Sequence, residues 1–271
     1  MSALPADLAP DRLDAALADA PLGRSREVCA ETASTMDLAW AARERGAPHG
    51  HLALADRQSA GRGTHGRRWD SPGGLDLYLS VLLRPGAPAA ALATLPLAVG
   101  AAVAQVAEDA GVNDARVKWP NDVVVGAGQA ARKLSGTLVE SRAPAGGGAP
   151  DVVVGIGLNV RRARFPTFGE GDLPGTSLSL EGARTTERPV LLAAVLRALA
   201  ERLERLLAAG SEAVLPEVAR RLWGRDQPVV VQAEGDAPLR GVLRGLAADG
   251  GLRLEVAGAE RVVRSGRLGP A

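Results

Sequence analysis

The sequence GRGTHGRRW, residues 61–69, follows the apolar strand-like segment HLALADRQ, residues 51–58, and combines three glycines, three arginines and a tryptophan. Glycine lets backbone N–H groups approach a ligand, and arginine pairs with phosphate or carboxylate oxygens. Trp69 adds a flat face that suits a heterocyclic base. The loop therefore predicts a polyanion site that stays loose until its ligand binds, although a basic surface turn fits the loop alone equally well.

Composition limits the partners that the chain can attract. Hydrophobic residues make up 46% and charged residues 23%, and 32 basic against 31 acidic residues give a net charge of +1. We therefore expect no nucleic-acid binding by the chain as a whole, and any anion site must be local. The single cysteine, Cys29, indicates a small strand residue in a reducing cytoplasm. The sequence has no secretory signal pattern and no run of 18 apolar residues, so no membrane association is expected.

Hydrophobic periodicity predicts an α+β architecture for most of the chain. The helix that follows Ser34 or Thr35 is expected to use one of them as its cap. The predicted helices cover residues 11–20, 34–46, 88–110, 187–209 and 211–223, and the predicted strands cover 25–32, 51–58, 75–85, 122–125, 133–141 and 151–160.

The pattern changes near residues 223–228. Short strand-like segments separated by Gly, Asp or Pro follow, and this pattern is typical of a small antiparallel barrel. They cover residues 228–234, 238–247, 251–256 and 260–266. We therefore expect two domains, residues 1–223 and residues 224–271.

The segment KWPND, residues 118–122, brings a cation, an amide and a carboxylate together. Lys118 suits a phosphate, Asn121 suits a ribose or base edge, and Asp122 suits Mg²⁺. Considered alone, the segment fits a turn between two strands somewhat better than a binding site.

Two further segments place small or charged residues on predicted strands. In RKLSG, residues 132–136, Lys133 would be unfavourable to bury without an anion, and Gly136 leaves room for a substrate against the backbone. In GIGLN, residues 155–159, two glycines end a strand with Asn159 beside them. An edge-strand lysine and a plain strand-end turn are the alternatives.

Two other patterns lead to no site. GAGQAA, residues 126–131, imitates a dinucleotide-binding loop, but the strand-like RKLSGTLVES follows where that loop requires a helix. We interpret it as a hairpin loop. His49 and His51 lack the further histidines or cysteines that a metal site needs, and are interpreted as loop residues.

Taken in order, the motifs STMD, QSAGRGTHGRRW, KWPND, RKLSG and GIGLN resemble those of the biotin–protein ligases, also called biotin–[acetyl-CoA-carboxylase] ligases, over roughly residues 30–160. This resemblance implies a class II synthetase-like catalytic domain, with a mixed β-sheet flanked by helices, and a small C-terminal SH3-like barrel. It also implies ATP and biotin as substrates with Mg²⁺. The partner would be a biotin carboxyl carrier protein or domain of biotin-dependent carboxylases. We expect a monomer or a weak homodimer.

The resemblance implies a two-step reaction in which biotinyl-5′-AMP forms first and its biotinyl group then passes to a carrier lysine. Residues 61–69 would be a lid over the ligands. The catalytic residues would be Lys133, Arg67 and Asp122, with Asp122 also the candidate for Mg²⁺. The biotin-binding residues would be Ser34, Thr35, Gln58, Arg62, Gly63, Thr64, Lys133, Gly136, Gly155 and Gly157. The nucleotide-binding residues would be Arg67, Arg68, Trp69, Lys118, Asn121 and Asn159, with Trp69 stacked on adenine.

The chain departs from the family pattern in two places. The common lid pattern is Gly-Arg-Gly-Arg, and Thr64 stands where the second arginine would be. Arg67 or Arg68 is the candidate replacement. The loop between Asp122 and Lys133 is longer than in some relatives, and its extra residues, 126–130, are expected to bulge outward. About 22 residues precede the first predicted strand, which indicates the monofunctional type without a DNA-binding domain.

Two alternatives remain open at this stage. The first is a lipoate–protein ligase or octanoyltransferase, whose catalytic domain resembles that of the biotin–protein ligases. A non-catalytic biotin- or nucleotide-binding protein is the second alternative, since the lid lacks its usual second arginine.

Overall fold

The computed structural model describes residues 3–144, 146–166, 173–233 and 237–271. Five α-helices and twelve strands lie in these ranges. The helices are α1 Pro10–Leu17, α2 Thr35–Glu44, α3 Leu95–Asp109, α4 Arg188–Ala209 and α5 Leu215–Arg220. The first seven strands are β1 Arg26–Thr32, β2 His51–Gln58, β3 Leu77–Leu83, β4 Ala115–Lys118, β5 Asp122–Val125, β6 Arg132–Arg142 and β7 Asp151–Leu158.

These seven strands form one mixed sheet in the order β1-β2-β3-β7-β6-β5-β4. β1 and β2 are parallel, and the other neighbours are antiparallel. Alternate side chains point to opposite faces. Leu52 and Leu54 therefore join the large core that includes α1, α3 and α4, whereas Ala53 joins a small core beneath α2. The predicted α+β class with a mixed sheet is confirmed.

The α3 helix is apolar because it is buried. It packs against α4 and against β4, β5 and β6. By length and composition, the helical stretch 89–109 passes as a membrane span, yet 67% of its most apolar window is buried inside the protein. Such burial is typical of a core helix in a globular domain.

The α2 helix begins where the sequence predicts. Ser34, rather than Thr35, is the N-cap, and its hydroxyl accepts a hydrogen bond from the Met36 backbone N–H. Thr35 is the first helical residue, so its hydroxyl is available for other contacts.

Proline shortens two of the predicted helices. Residues 88–110 contain a short 3₁₀ turn, Ala89–Leu92, and α3 begins only at Leu95. Pro96 fits the first turn of a helix but would disrupt a helix interior. Pro216 acts in the same way, so residues 211–223 hold a 3₁₀ turn and the six-residue α5.

Strand β4 was not predicted from the sequence, whereas the interpretation of residues 126–131 as a hairpin loop is confirmed. β5 and β6 pair in antiparallel fashion across that loop, and residues 127–130 are exposed, as expected for an outward bulge.

A second sheet follows at the C-terminus. Its strands are β8 Pro228–Gln232, β9 Leu239–Leu246, β10 Leu252–Val256, β11 Ala259–Val263 and β12 Arg267–Pro270, in the order β11-β10-β9-β8-β12. All neighbouring pairs are antiparallel. Among the described residues no ladder joins β11 to β12, so the closed SH3-like barrel stays a prediction, as does the domain boundary at residue 224. Residue 234, at the end of the first predicted strand here, lies outside the described residues.

The second sheet docks beside the KWPND segment. The indole N–H of Trp119 donates a 3.0 Å hydrogen bond to the Gly250 carbonyl, and both groups are buried. This contact fixes the position of residues 118–122 relative to the C-terminal sheet.

Candidate functional site

One row of paired residues crosses the main sheet on the α2 face. Tyr78 of β3 pairs with Gly157 of β7, which pairs with Gly136 of β6. Gly136 pairs with Asp122 of β5, which pairs with Lys118 of β4. Because directly paired residues share one face of a sheet, two glycines leave a depression between an aromatic residue and a lysine–carboxylate pair.

Trp69 covers this glycine depression. A Cβ atom at Gly157 would lie 2.4 Å from the indole Nε1 atom, and one at Gly136 would lie 2.9 Å from the indole Cζ3 atom. Any larger residue would therefore displace the ring. The buried Nε1 atom has no hydrogen-bond partner among the described residues. The ring predicted to stack on adenine thus contacts the glycines predicted to bind biotin.

A register shift directs Lys133 into the same depression. The β5–β6 pairing slips between Val123 and Val124, so strict alternation from Gly136 is interrupted and Leu134 enters the core. Bulges of this kind re-aim side chains. The Lys133 ammonium then lies 3.4 Å from where a Cβ on Gly136 would stand, and 5.2 Å from the Trp69 ring centroid.

At the charged end of the row, Lys118 and Lys133 both lie next to Asp122. Lys133 Nζ lies 2.7 Å from Asp122 Oδ1, as an ion pair without hydrogen-bond alignment. Lys118 is only 5% exposed. Burial lowers the pKa of Lys118, and the positive charges of Lys133, Arg267 and Arg67 lower it further, although Asp122 raises it. An anionic ligand would relieve this accumulation of positive charge.

A chain of hydrogen-bonded polar groups lies at the start of α2, and its members Thr35 and Gln58 line the cavity. Ser80 donates to the Thr35 hydroxyl at 2.8 Å, and the Thr35 backbone N–H and hydroxyl donate to Gln58 Oε1 at 2.8 and 3.1 Å. The Gln58 amide donates to Ser71 Oγ at 2.9 Å, and Ser71 donates to the Trp69 carbonyl at 3.0 Å. These groups could hydrogen-bond to a small polar ring. They also link Thr35 to the main chain of Trp69 through Gln58 and Ser71.

The loop of residues 61–69 forms a small hairpin over the cavity. The Trp69 N–H donates to the Gly61 carbonyl at 2.8 Å, and the Gly63 N–H donates to the Arg67 carbonyl at 2.7 Å. The Arg62 guanidinium forms ion pairs with Asp37 at 2.9 Å and Glu140 at 3.3 Å. The Arg62 side chain thus anchors the base of the hairpin to α2 and β6.

The two asparagines predicted to bind nucleotide brace the backbone. Asn121 donates to the Thr137 carbonyl at 2.7 Å. Asn159 donates to the carbonyls of Lys133 and Thr176 at 3.3 and 2.9 Å. Because these side-chain N–H groups hold β6 in place, they position Lys133. Their contact with a nucleotide stays a prediction.

The predicted site residues converge in space, and the individual ligand contacts assigned to them stay predictions. A single cavity is lined by all of them: Ser34, Thr35, Gln58, Arg62, Gly63, Thr64, Arg67, Arg68, Trp69, Lys118, Asn121, Asp122, Lys133, Gly136, Gly155, Gly157 and Asn159.

The same cavity has lining residues that the sequence motifs did not reveal. The most informative of these are Arg162, Phe165 and Arg267. Arg162 and Phe165 follow shortly after Asn159, the last residue of GIGLN. Their closeness to this motif in the sequence could have indicated that they also reach the cavity. Arg267 comes from the C-terminal sheet, and only the docking of that sheet brings it to the cavity.

The donor set does not fit a protein-bound metal centre. Among the described residues, no group of three or more His, Cys, Asp or Glu side chains could hold a metal ion. Asp122 is the described carboxylate next to Lys133, and it already pairs with that lysine. Mg²⁺ in proteins takes carboxylate, phosphate and water oxygens, so one carboxylate leaves most of its ligands to phosphate and water.

Comparisons with known proteins agree with this geometry. Residues 28–159 match the biotin/lipoate A/B protein ligase family. The biotin–[acetyl-CoA-carboxylase] ligase of Mycobacterium tuberculosis is 34% identical over 248 residues, which cover 90% of this chain and 88% of the relative. The biotin protein ligase of Aquifex aeolicus in complex with biotin and ATP has a TM-score of 0.73 at 28% identity, covering 90% of this chain and 97% of that chain.

The bifunctional ligase/repressor BirA of Salmonella typhimurium is 34% identical over 213 residues. The match covers 76% of this chain and 62% of that relative, so it leaves more than a third of BirA unmatched. Together these matches show that the chain belongs to the biotin/lipoate A/B protein ligase family.

Proposed function

We propose that the chain is an ATP-dependent biotin–protein ligase. One observation carries this proposal. Lys133, the Trp69 ring and the polar groups around Thr35 line one cavity, together with Arg67 and Lys118. The polar groups around Thr35 suit the polar bicyclic head of biotin. The floor formed by Gly136 and Gly157 suits its aliphatic chain, and the cationic end suits its carboxylate.

In the first step, a carboxylate oxygen of biotin would attack the α-phosphorus of ATP, and pyrophosphate would leave. The positive charges of Lys133 and Arg67 would stabilise the negative charge that builds on the non-bridging oxygens. Ser34, Thr35 and Gln58 would hold the polar head of biotin, so that its carboxylate points toward Lys133.

In the second step, the amine of a carrier lysine would attack the carbonyl carbon of biotinyl-5′-AMP. A C–N bond forms, the C–O bond to AMP breaks, and the amine loses a proton. Asp122 is the carboxylate that lines the cavity beside Lys133, and it would accept that proton. A biotin carboxyl carrier domain would be the partner, and a cytoplasmic location is part of the same proposal.

Magnesium would arrive with ATP rather than reside in the protein. Among the described residues, Asp122 is the carboxylate that pairs with Lys133, and no group of three acidic, histidine or cysteine side chains is available to hold a resident metal ion. The triphosphate would supply the remaining anionic oxygens.

The test is ATP–pyrophosphate exchange measured with biotin, with lipoate and with neither. Exchange that depends on biotin supports the proposal. Exchange that depends only on lipoate would identify a lipoate ligase, and tight biotin binding without exchange would identify a non-catalytic binding protein. Mass spectrometry of a biotin carboxyl carrier domain after incubation then tests the transfer step.

A further inference from the structure

Arg162 stands out because it is a buried cation at the cavity that none of the motifs contains. Its side chain is 4% exposed, and its partner Asp76 is completely buried. Arg162 Nε donates to Asp76 Oδ2 at 2.9 Å, and Nη2 donates to the Tyr78 hydroxyl at 3.2 Å. We refer to Asp76, Tyr78 and Arg162 together as the Arg162 clamp.

The clamp is fixed to the sheet by its own hydrogen bonds. Asp76 Oδ1 accepts from the Val160 N–H at 2.8 Å, and the Tyr78 hydroxyl donates to Asp76 Oδ2 at 3.0 Å. Burial raises the pKa of Tyr78 well above its usual value, so its hydroxyl stays protonated. Burial acts to lower the pKa of Arg162, but Asp76, Tyr78 and Asp70 together outweigh burial, and the pKa is raised. The guanidinium therefore stays charged and has fixed partners.

The remaining donors of Arg162 reach the residue after Trp69. Nη1 donates to Asp70 Oδ2 at 2.9 Å, and Nη2 donates to the Asp70 carbonyl at 2.8 Å. A bond to the backbone carbonyl fixes the main chain and not only a side chain. Because Trp69 is the neighbouring residue, its direction is set by this bond on one side and by the Gly61–Trp69 backbone bond on the other.

We infer that Arg162 is a positioning residue, which holds the Trp69 ring against Gly136 and Gly157 and thereby shapes the biotin pocket. The inference rests on the proposed function only in naming biotin as the ligand. The two planar ends of a guanidinium suit this task, since one end binds the buried carboxylate while the other binds Asp70.

The experiment must avoid leaving Asp76 as an unpaired buried charge, which could unfold the chain. The double variant Arg162→Met/Asp76→Asn removes both charges together. Arg161→Met is the matched control. Arg161 is the adjacent arginine and is also ion-paired, but its partner is Asp7 and it does not line the cavity.

The first readout is ¹⁹F NMR of protein labelled with 5-fluorotryptophan, which has four signals because the chain has four tryptophans. Trp69→Phe assigns the Trp69 signal. We expect the double variant to shift or broaden that signal and to leave those of Trp40, Trp119 and Trp223 in place. Arg161→Met should change none of them.

The second readout is the split between KM and kcat in pyrophosphate exchange. We expect the double variant to raise KM for biotin by about tenfold, with a smaller change in kcat. A folded double variant with an unchanged Trp69 signal, or one in which all four signals change together, would overturn the inference. If the wild-type chain shows no biotin-dependent exchange, the proposed function fails, while the NMR result still decides the role of Arg162.

Discussion

Lys133 and Asp122 form an ion pair at 2.7 Å on the floor of the cavity. Asp122 comes from KWPND and Lys133 from RKLSG, so the pair joins two of the motifs directly. The pair keeps the ammonium over Gly136 before any ligand binds. A bound carboxylate or phosphate would compete with Asp122 for the same ammonium, which allows Asp122 to act as a proton acceptor afterwards.

Lys133→Ala should lower the rate of biotin-dependent pyrophosphate exchange by at least about 100-fold, because it removes the cation proposed to stabilise the charge on the reacting oxygens. The effect should appear mainly in kcat. Circular dichroism and thermal unfolding should match those of the wild-type chain, since Lys133 is partly exposed. Exchange within a factor of three of wild type would contradict the role of Lys133.

Gly157→Ala should weaken biotin binding more than Gly155→Ala does. A Cβ at Gly157 meets the clamped Trp69 ring at 2.4 Å, whereas a Cβ at Gly155 meets the Met36 Sδ atom at 2.6 Å. Methionine is flexible and can adjust, but a fixed indole must move. We expect about a tenfold rise in the dissociation constant for Gly157→Ala by calorimetry. Equal effects of the two variants would show that Trp69 is not held in place.

The affinity for ATP should fall with rising pH because of Lys118. Burial lowers the pKa of Lys118 below the usual lysine value of 10.5. The protonated form is the one expected to bind phosphate, so affinity should be full below this lowered pKa and should be lost as pH rises through it. KM for ATP should therefore begin to increase at a pH below 10.5, the usual pKa of lysine. In Lys118→Gln, KM for ATP should be higher at neutral pH and this increase with pH should disappear.

Thr64→Arg should slow the release of the adenylate. Thr64 replaces the lid arginine of the family pattern, and Arg67 Nη2 reaches the Thr64 hydroxyl at 3.4 Å. A second lid cation would add charge-assisted bonds to phosphate oxygens. Stopped-flow release of biotinyl-5′-AMP should slow by about tenfold, since such bonds contribute about 1.5–3 kcal/mol. Thr64→Gln is the uncharged control, and it should leave the release rate nearly unchanged.

Acid should weaken the attachment of the N-terminal segment. Hydrogen bonds from buried Arg188 lower the pKa of Asp7 below 3.8, more than burial raises it. The carboxylate therefore stabilises the fold fully above pH 3.8, and this contribution is lost as pH falls through the lowered value. Asp7→Asn should lower Tm by about 5 °C at pH 7, and the difference should shrink below pH 3.8. A difference that is constant with pH would contradict the pairing.

Most strands and the convergence of the motifs were predictable from sequence. Alternating or continuous apolar residues mark β2, β3 and β7, because their side chains must be buried. The four-residue strands β4 and β12 were missed because neither has the continuous apolar run that marks the equally short β5. The helix starts at Leu95 and Leu215 were missed because apolar residues continue before them, although Pro96 and Pro216 mark the first turn of each helix.

The sequence by itself determined the family pattern, the α+β class and the residue types of the cavity, because local periodicity and ordered motifs are properties of the chain alone. Only the tertiary structure decided where their side chains point. A register shift at Val123–Val124 directs Lys133 over Gly136, and the docking of the C-terminal sheet brings Arg267 to the cavity. Strand registers and docked surfaces depend on contacts between distant segments, which no local pattern encodes.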